Sequence, residues 1–262
     1  MSPLRIGALS IALLTPTAHA GLLWHDESLS YLWGDNFRVN PPTQQTFTFE
    51  HASGWSWGDL FLFVDQINYQ GRKDPGQGGS TYYGEFQPRL SLGKLSGTDL
   101  SFGPIKDVLI ASSVEFGEGD TESYLLGPGF DLDIPGFDYF QLNLYYRKPD
   151  GHRVPAGAWQ ITPAWSYTVP LGNSDLLIDG YIDWVVNNKD ASSGRRNQAD
   201  YHANLHFNPQ IKYDLGKALG YGAKHLYVGV EYDYWSDKYG IEDSKGFRTE
   251  QNTTSFLLKY HF

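Results

Sequence analysis

Ala203-Asn204-Leu205-His206-Phe207-Asn208-Pro209-Gln210-Ile211-Lys212-Tyr213-Asp214 alternates without a break. Ala203, Leu205, Phe207, Pro209, Ile211 and Tyr213 fall on one face of an extended chain, and Asn204, His206, Asn208, Gln210, Lys212 and Asp214 on the other. Side chains of a strand point to alternate faces, so a period of two over this length reads as a long strand with one apolar and one polar side. The same pattern recurs elsewhere. Ile178, Ile182, Trp184 and Val186 alternate with Asp179, Tyr181, Asp183 and Asn187, and Phe140, Leu142, Leu144 and Tyr146 alternate with Gln141, Asn143, Tyr145 and Arg147.

Working outward, about twelve such stretches of roughly ten residues fill the chain after Gly21. They are expected at 29–38, 44–54, 58–69, 81–91, 106–117, 123–134, 138–148, 158–169, 176–188, 201–215, 226–237 and 251–262. The links between them alternate in length. Those at 54–57, 135–136 and 170–175 are compact; those at 70–80, 149–157, 189–200 and 238–250 are longer and more polar. Two links on the compact side, near 93–104 and 216–225, are longer than that alternation predicts. An even number of ten-residue strands, with short turns alternating with long loops, is the pattern of an outer-membrane barrel. A soluble sandwich would also alternate, with its apolar face in a core. The length of every strand and the charges on the polar face favour a twelve-stranded antiparallel transmembrane β-barrel with a polar lumen.

Composition agrees. Of 262 residues 16% are aromatic and 19% charged, which excludes a disordered chain. The absence of cysteine excludes a disulfide scaffold or a Cys-ligated zinc site. With 20 Lys+Arg against 30 Asp+Glu the net charge is −10, the wrong sign for a nucleic-acid binder.

Residues 1–20 read MSPLRIGALSIALLTPTAHA. One Arg, a short apolar run and an Ala18-His19-Ala20 end make up the three parts of a secretory signal peptide. The run is too short to span a bilayer, which takes about 20 residues. Cleavage would leave a barrel of residues 21–262 with a charge of −11.

At the other end Phe256, Leu258, Tyr260 and Phe262 take every second position up to the last residue. This resembles the terminal strand of bacterial outer-membrane proteins, whose final aromatic is read by the barrel-assembly machinery.

Catalytic motifs are sparse. The eight His residues make no H-x-x-x-H or H-E-x-x-H pattern, and no G-x-S-x-G or phosphate-binding loop sits between a strand and a helix. His202 and His206 are ~13 Å apart at strand rise, too far to share a metal, and read as wall residues. No outward His–Ser pair of the kind used by outer-membrane phospholipases is expected. The chain is therefore read as a non-enzyme needing no cofactor and no metal. Arg195 and Arg196, in a long loop, read as solvated charges in preference to a lipopolysaccharide phosphate site.

The run Pro88-Arg89-Leu90-Ser91-Leu92-Gly93-Lys94-Leu95-Ser96-Gly97-Thr98-Asp99-Leu100-Ser101-Phe102-Gly103-Pro104 resembles the nucleoside-specific channel (Tsx-type) family of Gram-negative outer membranes. Trp24-His25 before the first strand, Phe37 at its end, Trp57, Asp59 and Asp65, Glu85-x-Gln87-Pro88-Arg89, and Tyr234-Trp235-x-Asp237 agree in order. The resemblance implies a monomeric twelve-stranded barrel with a narrow nucleoside-passing lumen, set among outer-membrane lipid and lipopolysaccharide. Phage-receptor barrels belong to the same group, so a bacteriophage or surface-receptor role is the alternative, as is a pore for other small solutes. The implied nucleoside contacts are Phe37, Glu50, Phe61, Phe63, Asp65, Glu85, Arg89 and Trp235. Phe61, Phe63 and Asp65 share one face. That face could instead meet lipid, with Leu60, Leu62 and Val64 inside. Asp65 argues against it, because a charge in hydrocarbon costs a few kcal/mol. The family carries Tyr where this chain has Phe61 and Phe63, which removes hydroxyl donors from the implied site. Apart from any family, a selective nucleoside pore needs rings for the base and ionisable groups for the sugar hydroxyls, each binding weakly enough to release.

Overall fold

The computed structural model describes residues 21–71, 78–119, 121–150, 157–186, 202–241 and 244–262. The expected signal peptide, Arg195 and Arg196 lie outside them, as does much of the long links at 149–157 and 189–200. Twelve strands form the barrel: β1 (Leu22–Gly34), β2 (Thr43–Trp55), β3 (Gly58–Gln70), β4 (Ser80–Ser91), β5 (Ile105–Gly117), β6 (Ser123–Leu132), β7 (Tyr139–Pro149), β8 (Ala158–Leu171), β9 (Ser174–Val186), β10 (Asn204–Asp214), β11 (Leu226–Ser236) and β12 (Gln251–His261). Each pairs antiparallel with its sequence neighbours, and β1 closes on β12 from Ser28↔His261 to Gly34↔Ser255. Closure leaves no unpaired sheet edge, which a strand structure in hydrocarbon requires.

The two faces divide as the alternation dictates. On β12 Gln251, Thr253, Ser255, Leu257 and Lys259 are buried toward the lumen, while Phe256, Leu258, Tyr260 and Phe262 are exposed outward. On β10 Asn204, Asn208, Lys212 and Asp214 are buried, and Ile211 is exposed. Outward aromatics at the long-loop ends of strands, Trp33, Tyr82, Tyr124, Tyr146, Trp159 and Trp184, form an interfacial girdle. Among the described residues no helix is long and apolar enough to cross a membrane.

The two long links on the compact side have one explanation. Each holds a single helical turn, α1 (Leu92–Ser96) after β4 and α2 (Leu215–Leu219) after β10. The last residue of the strand caps the helix: Ser91 accepts from Lys94 N–H, and Asp214 from Lys217 N–H. Gly97 (φ 68°) and Gly220 (φ 76°) end them in the left-handed conformation. In the turn that follows α1, the Ser101 N–H donates to Asp99 Oδ1 at 2.9 Å, which holds that carboxyl below its ordinary pKa.

Most strands fall within three residues of expectation at each end, and one is displaced much further. β1 runs 22–34, not 29–38, so Trp24-His25 lies within it and Phe37 lies beyond it. The early part was hidden because outward positions 25 and 27 hold His and Glu, which break the apolar stripe. The late part is not strand because Asn36 (φ 77°) and Val39 (φ 70°) turn the chain.

Candidate functional site

Register fixes which side chains share the lumen, because directly paired residues of antiparallel neighbours face the same way. Ser28 pairs with Glu50, Glu50 with Phe63, Phe63 with Glu85 and Glu85 with Glu115. Ser28 and Glu115 are buried and Ser28 Oγ donates to Glu50 at 3.1 Å, so the row lies inside. Phe61, Phe63 and Asp65 are therefore lumenal. Leu62 pairs with the outward Phe86, which disposes of the inverted reading of β3.

Two aromatic walls result. On β3–β4 the rings of Phe61 and Phe63 stand 6.1 Å apart, and Phe63 and Tyr83 5.9 Å. On the opposite wall, β9 to β11 and the link after it, with those strands four to six away around the twelve, Tyr181 and His206 stand 5.3 Å apart, His206 and Trp235 4.1 Å, and Trp235 and Tyr239 5.2 Å. His206 is tied by Nε2 to Asp233 (3.2 Å) and by Nδ1 to the Tyr181 hydroxyl (3.4 Å).

The strand-borne cations inside the barrel are already engaged. Arg89, 3% exposed, donates to both oxygens of Asp59 (2.8 and 2.6 Å) and contacts Asp131 at 2.9 Å. Arg147 forks onto Glu115. Lys212, 1% exposed, donates to Asp179 (2.7 Å) and Gln210 (2.9 Å), and Lys259 donates to Glu50. A second set of carboxylates is held by neutral donors. Asp65 accepts from Thr48 Oγ1 (2.6 Å), and Glu85 from the Tyr83 hydroxyl (2.8 Å) and Ser113 (3.3 Å). Asp183 accepts from Gln160 (2.9 Å) and Thr162 (2.7 Å), and Glu231 from Gln210 (2.8 Å).

At the long-loop mouth the link after β11 folds inward as a 3-10 turn, Lys238–Gly240. Lys238 is 4% exposed; its Nζ donates to Gln251 (2.6 Å) and lies 5.2–5.9 Å from the centres of the Phe37, Trp235 and Tyr239 rings. Asp237 (φ 46°) and Tyr239 (φ 59°) hold left-handed conformations to present it. The link after β1 meets it: the Asn40 amide donates to the Tyr239 hydroxyl (2.9 Å), and Arg38 N–H to Gln251 (2.9 Å).

The sequence-expected residues thus separate. Glu50, Phe63 and Glu85 form one row, Phe61 and Asp65 flank it on β3, and Trp235 stands on the opposite wall. Phe37 belongs to the mouth, and Arg89 is enclosed by acids. Tyr83, Tyr181 and Lys238 were missed. Tyr83 shares the Glu85 face by alternation and could have been found; Lys238 sits in a link where no periodicity speaks.

β2 does carry an outward His–Ser contact, of a different kind from the phospholipase set. On the outer wall His51 Nε2 is 2.9 Å from Ser53 Oγ, its Nδ1 is 2.9 Å from Glu27, and His25 is 3.0 Å from the same carboxylate. Ser53 is fully buried and also accepts the Trp55 indole N–H (2.9 Å), so its hydroxyl faces no substrate space.

Comparison with known proteins decides the lineage. Residues 32–262 match the family described as nucleoside-specific channel-forming protein, Tsx. The chain belongs to that family. It is 30% identical over 195 residues to outer membrane protein OmpK of Vibrio parahaemolyticus, covering 72% of this chain and 70% of OmpK. It is 27% identical over 133 residues to the nucleoside-specific channel-forming protein Tsx of Klebsiella aerogenes, covering 47% of this chain and 45% of that one. Among solved structures the NanC porin superposes with a TM-score of 0.50 at 11% identity, over 89% of this chain and 98% of that one, a likeness of fold alone. This Tsx-family barrel is an outer-membrane channel, and its family and fold are those of porins.

Proposed function

We propose that the channel passes nucleosides by passive, selective diffusion. The observation that carries this reading is the row of rings Phe61, Phe63 and Tyr83, bounded by Asp65 and Glu85 and facing Tyr181, His206 and Trp235 across the lumen. A base is flat and slides along rings; ribose hydroxyls donate to carboxylates. Asp65, Glu85 and Glu50 supply acceptors at the height of the rings, and each already accepts a hydrogen bond from a lumenal hydroxyl, which keeps the contact weak enough for release. Phe37 and Trp235 guide the solute at the mouth. Trp235 has His206 against it and Lys238 close by, so it offers an edge more than a face. Arg89 acts through Asp59 and Asp131 as a positioning residue for the wall. The protein in this reading is exported by residues 1–20, assembled by the barrel-assembly machinery and works as a monomer.

Nucleoside block of single-channel current across a planar bilayer tests the reading. Stacking on an aromatic ring is worth ~1–3 kcal/mol per base. Replacing Phe61 and Phe63 together by Ala should weaken block by roughly tenfold or more, with ion conductance retained. Asp65→Asn should cost about 1 kcal/mol and affect nucleosides more than free bases. Unaltered block in both variants, with intact barrels, would falsify the assignment of this wall.

A further inference from the structure

We infer that the lumen is also a cation-selective ion path, which passes alkali cations and small amine-bearing solutes in preference to anions. This does not rest on nucleosides being the solute. It follows from how the lumenal charges are distributed between partners.

An anion crossing the lumen needs a cation free to receive it. Arg89, Arg147, Lys212 and Lys259 are each bound to a carboxylate of their own, and Arg89 to two. A cation needs only a carboxylate whose charge is not cancelled. Among the described residues Asp65, Glu85, Asp183 and Glu231 have no Lys or Arg within ion-pair distance and are held by hydroxyl and amide donors instead. Neutral donors orient a carboxylate without cancelling the charge it carries when ionised.

Position adds to the count. The four sit on β3, β4, β9 and β11, so they look at each other from opposite walls, not along one strand. A cation at the centre is drawn to both walls, and an anion is repelled by both. Low-dielectric walls focus such a field along a narrow bore. Rings stand in the same stretch, Phe63 beside Glu85 and Tyr181 beside Asp183, and an aromatic face also favours a cation over an anion. Lys238, at the mouth, lies above this belt and is covered by Phe37, Trp235 and Tyr239, which keeps it from acting as an anion trap.

The test is the reversal potential of the full-length barrel in a planar bilayer under a KCl gradient, in alkaline buffer so that the carboxylates are ionised. Focused fields raise local counter-ion concentration by ~10-fold or more, so the K⁺/Cl⁻ permeability ratio should be roughly ten. Methylammonium chloride in place of KCl should give a potential of the same sign. Asp183→Asn with Glu231→Gln removes half of the four uncancelled charges and leaves the proposed nucleoside wall intact. The logarithm of the ratio should halve, a fall of about threefold. A second measurement needs no variant: raising the salt from 0.1 to 1 M shortens the screening length from ~10 to ~3 Å and should pull the wild-type ratio toward one. A wild-type ratio of one or below overturns the inference. So does a ratio indifferent to salt, or one unchanged in a double variant that keeps its heat-resistant barrel on a gel. Loss of nucleoside block with cation preference intact would sink the nucleoside reading alone.

Discussion

Replacing Arg89 by Met isolates the lumenal ion pair that joins the most strands. The guanidinium spans from Asp59 on β3 through its own strand β4 and across β5 to Asp131 on β6. Met keeps the length of the stem and deletes the charge, leaving two carboxylates facing the gap. Removing one partner of a fully buried pair costs about 3–5 kcal/mol. Here the Asp59 and Asp131 side chains are 24% and 32% exposed, so lumenal water takes over part of the solvation. The expected loss is therefore about 2–3 kcal/mol, at or below the foot of that range. Asp59→Asn in the same background removes one of the stranded charges and should restore about 1 kcal/mol or more, the size of coupling found between contacting residues. The assay is equilibrium urea unfolding in lipid vesicles, followed by the fluorescence of the eight Trp residues, for wild type, both single variants and the double. Arg89→Lys should fall between wild type and Met, because an ammonium keeps the charge and loses the two-pronged fit. If Arg89→Met unfolded within ~0.5 kcal/mol of wild type and the cycle were additive, the cross-strand clamp would be no clamp.

Two further outcomes follow from other regions. Lys238→Met should free the inward turn by removing one charged hydrogen bond and the ammonium–ring contacts, about 2 kcal/mol together; the measurement is faster proteolysis within 238–250 and a larger single-channel conductance, and unchanged digestion would mean that Lys238 does not hold the turn. Deleting Phe262, whose N–H donates to Glu27 O at 3.0 Å and whose ring is 67% exposed, should lower the yield of assembled barrel more than deletion of any one long link, measured by the heat-resistant band in outer-membrane fractions.

The barrel was legible because most strands repeat one demand: apolar outside, polar inside. β10 shows it most plainly, where the alternation from Asn204 to Asp214 gave both faces and the register of burial. β1 shows the limit. Around His25 and Glu27 its outward face turns polar, beside His51 and Ser53, at the level where Phe262 ends the lipid-facing stripe of β12. A polar outer face leaves no period for a sequence to display. The lumenal facing of the candidate wall was legible in the same measure. Phe61, Phe63 and Asp65 follow from alternation plus the cost of a charge in lipid. That Arg89 is enclosed, that Glu50 has Lys259 as partner, and that Lys238 reaches Phe37 are contacts between residues distant in sequence, and Glu50 and Lys259 lie 209 positions apart.

The two capped turns α1 and α2 give the barrel a means of checking its own alignment. Ser91 and Asp214 are each the final residue of a strand and the first anchor of a helix. Asp214 receives a second N–H as well, from Lys224 at 2.6 Å, so one carboxylate ties β10 to both ends of the link that leads to β11. A slip of β10 by one residue would carry Lys212 into hydrocarbon, at a cost of about 2–4 kcal/mol near the midplane. The same slip would pull Asp214 away from both amides. An assembling sheet that hydrogen-bonds equally well in several alignments therefore meets penalties on the lipid side and at the aqueous rim together. The rim corners act as proofreading stops, and they place the ion pairs and rings of the lumen at their heights before any solute arrives.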